Sequence, residues 1–343
     1  MIANIKDFKE ILSKYSDCGS EKEYAEFIAE KLSAYTGKEG VSIDCLNNAI
    51  GFVGTPSKHN ILLEAHMDEI SLIVAKITEE GFLMVRNVGG IDLRAILSTE
   101  VMVNGLTGIV ANIPPHLAKD GKSIPKYADL YIDLGLPVEE VNNIVQIGDR
   151  VSILAESTEL LNNRIAAKAL DNKACVYTIL ITLKKLEKEI RENTLDCCIS
   201  VLFASQEEIG SRGAIVGSYE INADEAIVLD TTFANQTDHK GNVELGKGVV
   251  IERSAYYDRK MINSLVQAAN KLAIPYQTDI SVKANDTDAH DINLSNCGVP
   301  TVLMSIPIKY MHTPVEVADL NDIENAADII AEYIKTKFSK EEA

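Results

Sequence analysis

Residues 195–210 read LDCCISVLFASQEEIG, an apolar run that ends in two adjacent glutamates. The apolar run is typical of a strand that is buried on both faces, because it lacks the polar alternation of a half-exposed strand. Glu207 and Glu208 follow where this strand surfaces. Adjacent carboxylates repel each other, so an isolated pair of this kind most often belongs to a solvated loop. The rest of the sequence has to decide between that loop and a functional site.

The residues after position 160 alternate between helix-like and strand-like segments. The pattern predicts helices over KALDNKACVYTILITLKKLEKEIREN, RKMINSLVQAANKLA and the closing DLNDIENAADIIAEYIKTKF. Uninterrupted apolar runs predict two more buried strands, EAIVLD and PTVLMSIP. Buried strands between amphipathic helices indicate an α/β fold whose sheet is covered on both faces.

The residues between about 70 and 160 show a different pattern. Short β-branched runs such as TEVMVNGLTGIVANI and DRVSIL alternate with Gly, Pro and Asn, which predicts a small all-β unit. The first forty residues look helical, and Ser20 followed by Glu23 matches a capping box at a helix start. The simplest organisation is a discontinuous α/β domain, residues 1–69 and 161–343, interrupted by an inserted β domain, residues 70–160.

The composition argues against several classes of partner. A formal net charge of −18 over 343 residues disfavours nucleic acid and anionic membranes, since both need a basic face. Residues 1–20 lack the apolar block of a signal peptide, and the longest apolar run, residues 174–183, is too short for a membrane span. The six cysteines have no disulfide-like spacing. We expect a cytoplasmic protein with reduced thiols.

Residues of the metal-binding type fall at the ends of the predicted strands. His66 and Asp68 follow ILLEA, Glu207 and Glu208 follow VLFASQ, Asp230 closes AIVLD, and His312 comes shortly after VLMSIPIKYM. In open α/β sheets, ligands bind beyond the carboxyl ends of the strands. The sequence therefore predicts that these side chains gather at one edge of the sheet.

Each of these residues has an ordinary explanation when it is taken alone. Asp171, for example, falls at a predicted helix start, where the free N–H groups and the dipole favour a carboxylate. Together, two histidines and three carboxylates suit a pair of divalent ions about 3.5–4 Å apart with one bridging carboxylate. The spacing does not show which carboxylate bridges.

Five segments, in this order, resemble the motifs of the M42 family of metallo-aminopeptidases: AHMDEI, KALDNKACV, QEEIGSRGA, AIVLD and HTPVEV. The resemblance covers nearly the whole chain and includes VGGIDLRAIL and YIDLG in the inserted unit. It implies a dinuclear metallopeptidase fold, in which helices cover a mixed sheet and a small all-β domain is inserted. It also implies an aminopeptidase that hydrolyses N-terminal residues from peptides.

By position, the resemblance implies five ligands for two divalent ions, zinc or cobalt: His66 and Asp230 for one, Glu208 and His312 for the other, and Asp171 between both. Glu207 would be the general base that takes a proton from a metal-activated water. Asp68 would orient His66 or tune the site. The two adjacent glutamates would then have different roles.

The resemblance also bears on assembly and on rate. In the family the inserted domain mediates dimerisation and the dimers form tetrahedral dodecamers, so we expect a homo-oligomer that dimerises through residues 70–160. Ala167 stands where the family often has glycine, and Asn172 and Lys173 stand where it usually has Asp-Arg. These departures bear on pocket shape and rate rather than on metal binding, because no proposed ligand is altered.

Three other functions share part of this pattern. An amidase or deacylase acting on small N-acyl compounds would share every metal ligand, so only substrates separate it from an aminopeptidase. An endoglucanase needs two carboxyl groups flanking a glycosidic bond, whereas the acids here come with two histidines, as in a metal site. A non-catalytic metal-binding assembly protein predicts a lost base, yet Glu207 is present.

Overall fold

A computed structural model describes residues 5–54, 59–113, 116, 126–237, 240–282 and 287–340 of the chain. The strands are β1 (Val41–Ile43), β2 (Ala49–Gly54), β3 (His59–His66), β4 (Ser71–Ile77), β5 (Leu83–Val88), β6 (Glu100–Val103), β7 (Leu106–Asn112), β8 (Leu130–Asp133), β9 (Arg150–Ile153), β10 (Thr158–Leu160), β11 (Arg164–Ala167), β12 (Cys197–Ala204), β13 (Glu225–Phe233), β14 (Val250–Ile251), β15 (Thr301–Lys309) and β16 (Glu316–Asp319). The α-helices are α1 (Ile5–Ser13), α2 (Lys22–Thr36), α3 (Val138–Ile144), α4 (Leu170–Lys185), α5 (Glu187–Arg191), α6 (Arg212–Ile221), α7 (Arg259–Lys271), α8 (Asp288–Asn293) and α9 (Leu320–Phe338).

Ten of the strands in the described part of the chain form one mixed sheet. Its order is β1-β2-β12-β3-β13-β15-β16-β11-β10, and β14 pairs with β15. The central pairs β12–β3, β3–β13 and β13–β15 are parallel, whereas the pairs toward both edges are antiparallel. The predicted α/β fold with a mixed sheet is confirmed.

The register of the central strands brings their carboxyl ends to one level. Ala204 of β12 lies beside His66 of β3. Val228 of β13 lies beside Glu64 of β3, which places Asp230 at the level of His66 on the adjacent strand. Segments that follow these strands therefore begin at the same edge of the sheet.

Helices cover the central strands, as their continuous apolar sequences require. Every residue of β12 is buried, and so is every residue of α4 from Leu170 to Leu183. Helix α4 packs against β3, β13 and α9, whereas α6 and α8 pack against each other and against β12, β13 and β15. Among the described residues, no helix is both long enough and apolar enough to cross a membrane.

The remaining six described strands form a closed antiparallel barrel in the order β4-β5-β8-β7-β6-β9. The barrel has a core of its own, built from aliphatic side chains such as Leu72, Val85 and Ile132. The predicted small all-β unit is confirmed. Strand β10 pairs with β11 in the large sheet rather than with the barrel. The domain limits at residues 70 and 160 stay a prediction.

The predicted capping box at the start of α2 is wrong. The helix begins at Lys22, and Glu21, rather than Ser20, is its N-cap residue, without a side-chain cap. The Glu21 carboxylate instead accepts a hydrogen bond from the Gly19 N–H at 2.5 Å. A tight turn before the helix thus uses Glu21, whereas Glu23, the acid of the predicted capping box, lies in the first turn of α2.

Candidate metal centre

The predicted site residues come from five separate elements that meet at one edge of the large sheet. His66 ends β3, Asp68 follows it, Asp171 is near the start of α4, Glu207 and Glu208 lie in the 3₁₀ turn Glu207–Ile209 after β12, Asp230 is in β13, and His312 lies between β15 and β16. The structure brings all seven residues together. Their roles as ligands, base and positioning residue stay predictions.

Asp171 lies between the two histidines. Its Oδ1 is 3.4 Å from His66 Nε2, and its Oδ2 is 3.3 Å from His312 Nε2. One carboxylate therefore presents a different oxygen to each side of the cluster. This is the arrangement that a bridging ligand needs, and the spacing of the sequence alone could not identify it.

Ligand-type atoms form one group on each side of Asp171. His66, Asp171 and Asp230 make the first group, and Asp171, Glu208 and His312 make the second, with the candidate ligand atoms of each within 4.8 Å of one another. His312 Nε2 lies 3.2 Å from Glu208 Oε1. Glu207 is in neither group, although its Oε2 is 3.8 Å from His66 Nε2. The two adjacent glutamates thus occupy different positions relative to the cluster.

Asp68 holds the paired glutamates in place. Its Oδ1 accepts a hydrogen bond from the Glu207 N–H at 3.0 Å, and its Oδ2 accepts one from the Glu208 N–H at 3.2 Å. Oδ1 also lies 3.5 Å from Nδ1 of His66. A single buried carboxylate therefore bonds the backbone of both glutamates and lies beside a histidine.

Glu316 performs the same task on the other side and was missed by the sequence reasoning. Its Oε2 accepts from the Asp171 N–H at 3.0 Å, and its Oε1 accepts from the His312 N–H at 2.7 Å. His312 has a left-handed φ of 62°, a conformation that costs free energy in a non-glycine residue unless its surroundings fix it. The only available signal was the single acid of HTPVEV, whose partner N–H groups cannot be read from sequence.

A third group of ligand-type atoms lies behind the cluster, formed by Cys18, Glu21 and Asp68. The Cys18 thiol is buried, and burial together with the nearby Asp68 carboxylate raises its pKa far above the usual value. Asp68 already accepts hydrogen bonds from the N–H groups of Glu207 and Glu208, and we assign no ion to this group.

Burial dominates the electrostatics of the cluster. It raises the pKa of Asp230 well above its usual value. Burial is also the largest cause of the rise in the pKa of Glu207 to about 10, and the neighbouring Asp230 and Asp288 carboxylates add to that rise. Burial lowers the pKa of His312, but Asp171 and Glu208 outweigh it and raise that pKa to about 11. Carboxylates this buried need positive charge close by to remain ionised.

The donor set fits two divalent cations. Two imidazole nitrogens and three carboxylates, with one carboxylate between the two groups, match the ligand types that zinc and cobalt accept. Two such ions would supply the positive charge that the buried carboxylates lack. The residues present therefore fit the predicted metal pair.

The barrel contributes a wall to the second group, a feature that the sequence did not reveal. A Cβ added to Gly90, which follows β5, would lie 2.9 Å from Nδ1 of His312. A Cβ on Gly89, which has a φ of +79°, would lie 3.0 Å from Oε2 of Glu208. Only glycine lets this turn approach the proposed ligands so closely.

Two of the three departures from the family pattern have a structural explanation. Asn172 Nδ2 donates to the Leu229 carbonyl at 2.9 Å, next to Asp230. Lys173 is fully buried and donates to Glu69 Oε1 at 2.9 Å. Lys168 bonds the other oxygen of Glu69, so this acid ties together both ends of the segment that carries Asp171. Nothing in the structure explains Ala167.

A cavity of about 1020 Å³ opens beside the cluster. His66, Asp171, Glu207, Glu208, Asp230 and His312 all line it. The volume is at the upper end of the range for pockets that hold small molecules, and it suits the end of a peptide.

Comparison with known proteins identifies a family of aminopeptidases. The model of the family described as M42 glutamyl aminopeptidase matches residues 47–329. A lysyl aminopeptidase of Pyrococcus furiosus is 33% identical over 299 residues, which is 83% of this chain and 84% of the relative. The solved structure of an aminopeptidase from the archaeon Desulfurococcus kamchatkensis has a TM-score of 0.89 at 31% identity and covers 97% of this chain and 95% of its own. The TET1 peptidase of Pyrococcus horikoshii, which can assemble into a tetrahedron or a large octahedral shell, has a TM-score of 0.84 at 29% identity and covers 96% and 98%.

Proposed function

The chain belongs to the M42 family of aminopeptidases, and from this premise we propose that it releases N-terminal residues from peptides with two divalent ions and Glu207 as general base. One observation carries the proposal. Asp171 presents its two carboxylate oxygens to different histidines, at 3.4 Å and 3.3 Å, while Glu207 stays outside both groups of ligand atoms. Such a cluster supports two ions and leaves one carboxylate for proton transfer.

The roles of the residues follow from their positions. Two divalent ions, when bound, would lower the pKa of a water molecule and polarise the scissile carbonyl. Glu207 lines the cavity beside His66, where its carboxylate can accept a proton from the attacking water and return it to the leaving amine. Asp68 fixes the backbone of Glu207 and thereby the direction of that carboxylate.

The acidic cluster also explains why the end of a peptide is the proposed target. A free N-terminus carries a positive charge, and the cavity wall near the cluster is lined by carboxylates. An N-acyl compound lacks this charge. The exopeptidase reading is therefore favoured over an amidase or deacylase with the same ligands.

The test uses the purified chain and two substrate classes. Elemental analysis should find two divalent ions per chain, and a chelator should abolish hydrolysis of aminoacyl p-nitroanilides until zinc or cobalt is returned. N-acetylated amino acids should be inert. Hydrolysis of the N-acetylated compounds alone would favour the deacylase, and activity that persisted after verified removal of metal would contradict the mechanism.

We also propose that the chain forms a homo-oligomer with its dimer contact in residues 70–160. The relative from Pyrococcus horikoshii assembles into closed shells. In this chain the barrel region exposes Ile109, Ile144 and Ile147, large apolar side chains of the kind that interfaces cover.

A further inference from the structure

The proposed base is carried by a loop with an unusual backbone. This base loop, residues 205–213, leads from β12 into α6. Gln206 and Ser211 have left-handed φ angles of 57° and 53°, a conformation that costs free energy in a non-glycine residue unless its surroundings fix it. Residues held in this way cluster at functional sites. The contacts that fix the base loop are therefore candidates for a functional role.

Asn48, the residue before β2, bonds both ends of the base loop. Its Oδ1 accepts hydrogen bonds from the Ser205 N–H at 2.8 Å and from Ser205 Oγ at 3.2 Å. Its Nδ2 donates to the Gly213 carbonyl at 2.9 Å and to Asp44 Oδ2 at 2.7 Å. Asn48 is fully buried, and these four bonds use the whole donor and acceptor capacity of an amide. A buried amide with every bond made fixes the position of its partners closely.

The Asn48 side chain extends the pairing of β2 with β12 to the start of the base loop. The backbone register of the two strands ends at Phe203, opposite Ala49. The backbone of Asn48 is bonded within its own turn, since its N–H donates to Asp44 Oδ1 and its carbonyl accepts from the Asp44 N–H. The side-chain amide therefore supplies the acceptor that the buried N–H of Ser205 requires. One side chain thus joins the base loop to the sheet.

Helix α6 comes close to Asn48 only because Gly213 has no side chain. A Cβ added to Gly213 would lie 2.3 Å from Asn48 Oδ1 and 2.3 Å from the carbonyl oxygen of Ser205. The Gly213 N–H also donates to that Ser205 carbonyl at 2.9 Å. The two ends of the base loop therefore meet at Asn48, and loss of its side chain would remove a contact that both ends share.

We propose that Asn48 is a positioning residue for Glu207. Asp68 bonds the middle of the base loop, and Asn48 bonds its two ends. With ions bound, Glu208 would be held by its ion, whereas the direction of the Glu207 carboxylate would depend on the loop alone. The inference rests on the role of Glu207 as general base in the function proposed above. It gives the turn before β2 a part in the reaction, although Asn48 does not line the cavity.

Hydrogen exchange of the metal-free full chain tests the contact without turnover. In Asn48→Ala, the backbone amides of residues 205–213 should exchange about tenfold faster or more, because both ends of the loop lose a bond. Asn60→Ala is the matched control. The Asn60 amide also bonds two other elements, through Ser200 Oγ and the Ile221 carbonyl, but at the opposite end of β3. Its variant should keep wild-type exchange in the base loop, and wild-type exchange there in Asn48→Ala would overturn the proposal.

Turnover of an aminoacyl p-nitroanilide at saturating metal tests the effect on the base. In Asn48→Ala, kcat should fall about 10–100-fold, as expected for a misplaced catalytic group. KM should change less than about threefold, because the cavity wall is intact. Wild-type kcat in a folded Asn48→Ala protein would overturn the proposal and leave the aminopeptidase function intact. A wild-type chain that hydrolysed no aminoacyl compound would instead contradict the proposed function.

Asp44→Asn is a milder variant of the same contact. It keeps one acceptor oxygen for the turn but places a donor opposite Asn48 Nδ2. Its kcat should fall by a smaller factor than that of Asn48→Ala, and this variant decides the matter if Asn48→Ala does not fold. Wild-type kcat and wild-type exchange of the base loop in Asp44→Asn would then overturn the proposal.

A double-mutant cycle separates positioning of the base from a general loosening of the fold. If Asn48 acts through Glu207, then Asn48→Ala should lower the residual kcat of Glu207→Gln by less than about twofold. An Asn48→Ala effect of the same size in both backgrounds would show that Asn48 supports the fold without acting through the base, and would overturn the assignment.

Discussion

At the scale of single residues, Glu207 and Glu208 are neighbours in sequence but not in role. Glu208 lies with Asp171 and His312 in a group of candidate ligand atoms, whereas Glu207 lies outside it and faces the cavity. The sequence could suggest this division only through the order of its motifs. What it could not show is that Asp68, which it placed beside His66, accepts hydrogen bonds from the backbone N–H groups of both glutamates.

Glu207→Gln and Glu208→Gln should therefore fail in different ways. The first should keep both ions and lower kcat by about 10²–10⁴-fold, the range for lost general acid–base catalysis. The second should lower metal content at one site, with partial rescue by excess metal. Metal analysis and turnover measurements on both variants test this division of roles, and the exposed Glu220→Gln is the control. Loss of metal from Glu207→Gln alone would reverse the two roles.

Glu316 gives a second residue-scale prediction. Glu316→Ala would leave the N–H groups of Asp171 and His312 without their acceptor, so we expect unfolding free energy to fall by at least about 2 kcal/mol. Metal affinity should fall about 10–100-fold, as for other losses of supporting hydrogen bonds. Denaturant unfolding and metal titration measure both effects. Wild-type metal affinity in a folded Glu316→Ala protein would contradict the positioning role.

At the scale of elements, the apolar runs predicted the central strands well, because a strand that is buried on both faces has a continuous apolar sequence. Strand β12 lies within its predicted segment, whereas β13 and β15 begin within theirs and continue three and two residues further. The order of the strands in the sheet depends on long-range pairing, which no local sequence pattern contains. The same pairing places His66, at the carboxyl end of β3, level with Asp230 of the neighbouring β13. The turn after β5 could not be predicted for the same reason. The need for glycine at positions 89 and 90 follows only from the close approach of this turn to Glu208 and His312.

Gly90→Ala tests the contact between the barrel and the proposed metal centre. The added methyl group would lie 2.9 Å from His312 Nδ1, so either the histidine or the turn must shift. We expect about tenfold weaker metal binding with little loss of fold. Gly105→Ala is the contrasting control, because its Cβ meets nothing within 4 Å but its φ is +83°. That variant should lose some stability and keep its metal affinity; the opposite pattern would argue against the contact.

At the scale of the whole molecule, the question is which surface another copy covers. Ile147 of the barrel region is 70% exposed and Leu294 beyond α8 is 64% exposed. Light scattering should give a mass at least twice 37.5 kDa for the wild-type chain. Ile147→Glu should lower that mass because it places a charge in the proposed dimer contact, whereas Leu294→Glu should leave the dimer intact. A wild-type chain that stayed fully active as a monomer at every concentration would refute the assembly.

The wide spacing of the proposed ligands along the chain has a consequence for folding kinetics. His66 and His312 are about 250 positions apart, and closing so long a loop costs entropy before any contact repays it. In the sequence, the barrel strands come between β3 and β11 of the large sheet. We therefore expect the two histidines to meet only after the large sheet has assembled. High-affinity ion binding should therefore appear in the last phase of refolding, when the whole chain has reached its native fold. Ions that bind only that state also stabilise it by mass action, so the ion concentration should set the unfolding midpoint.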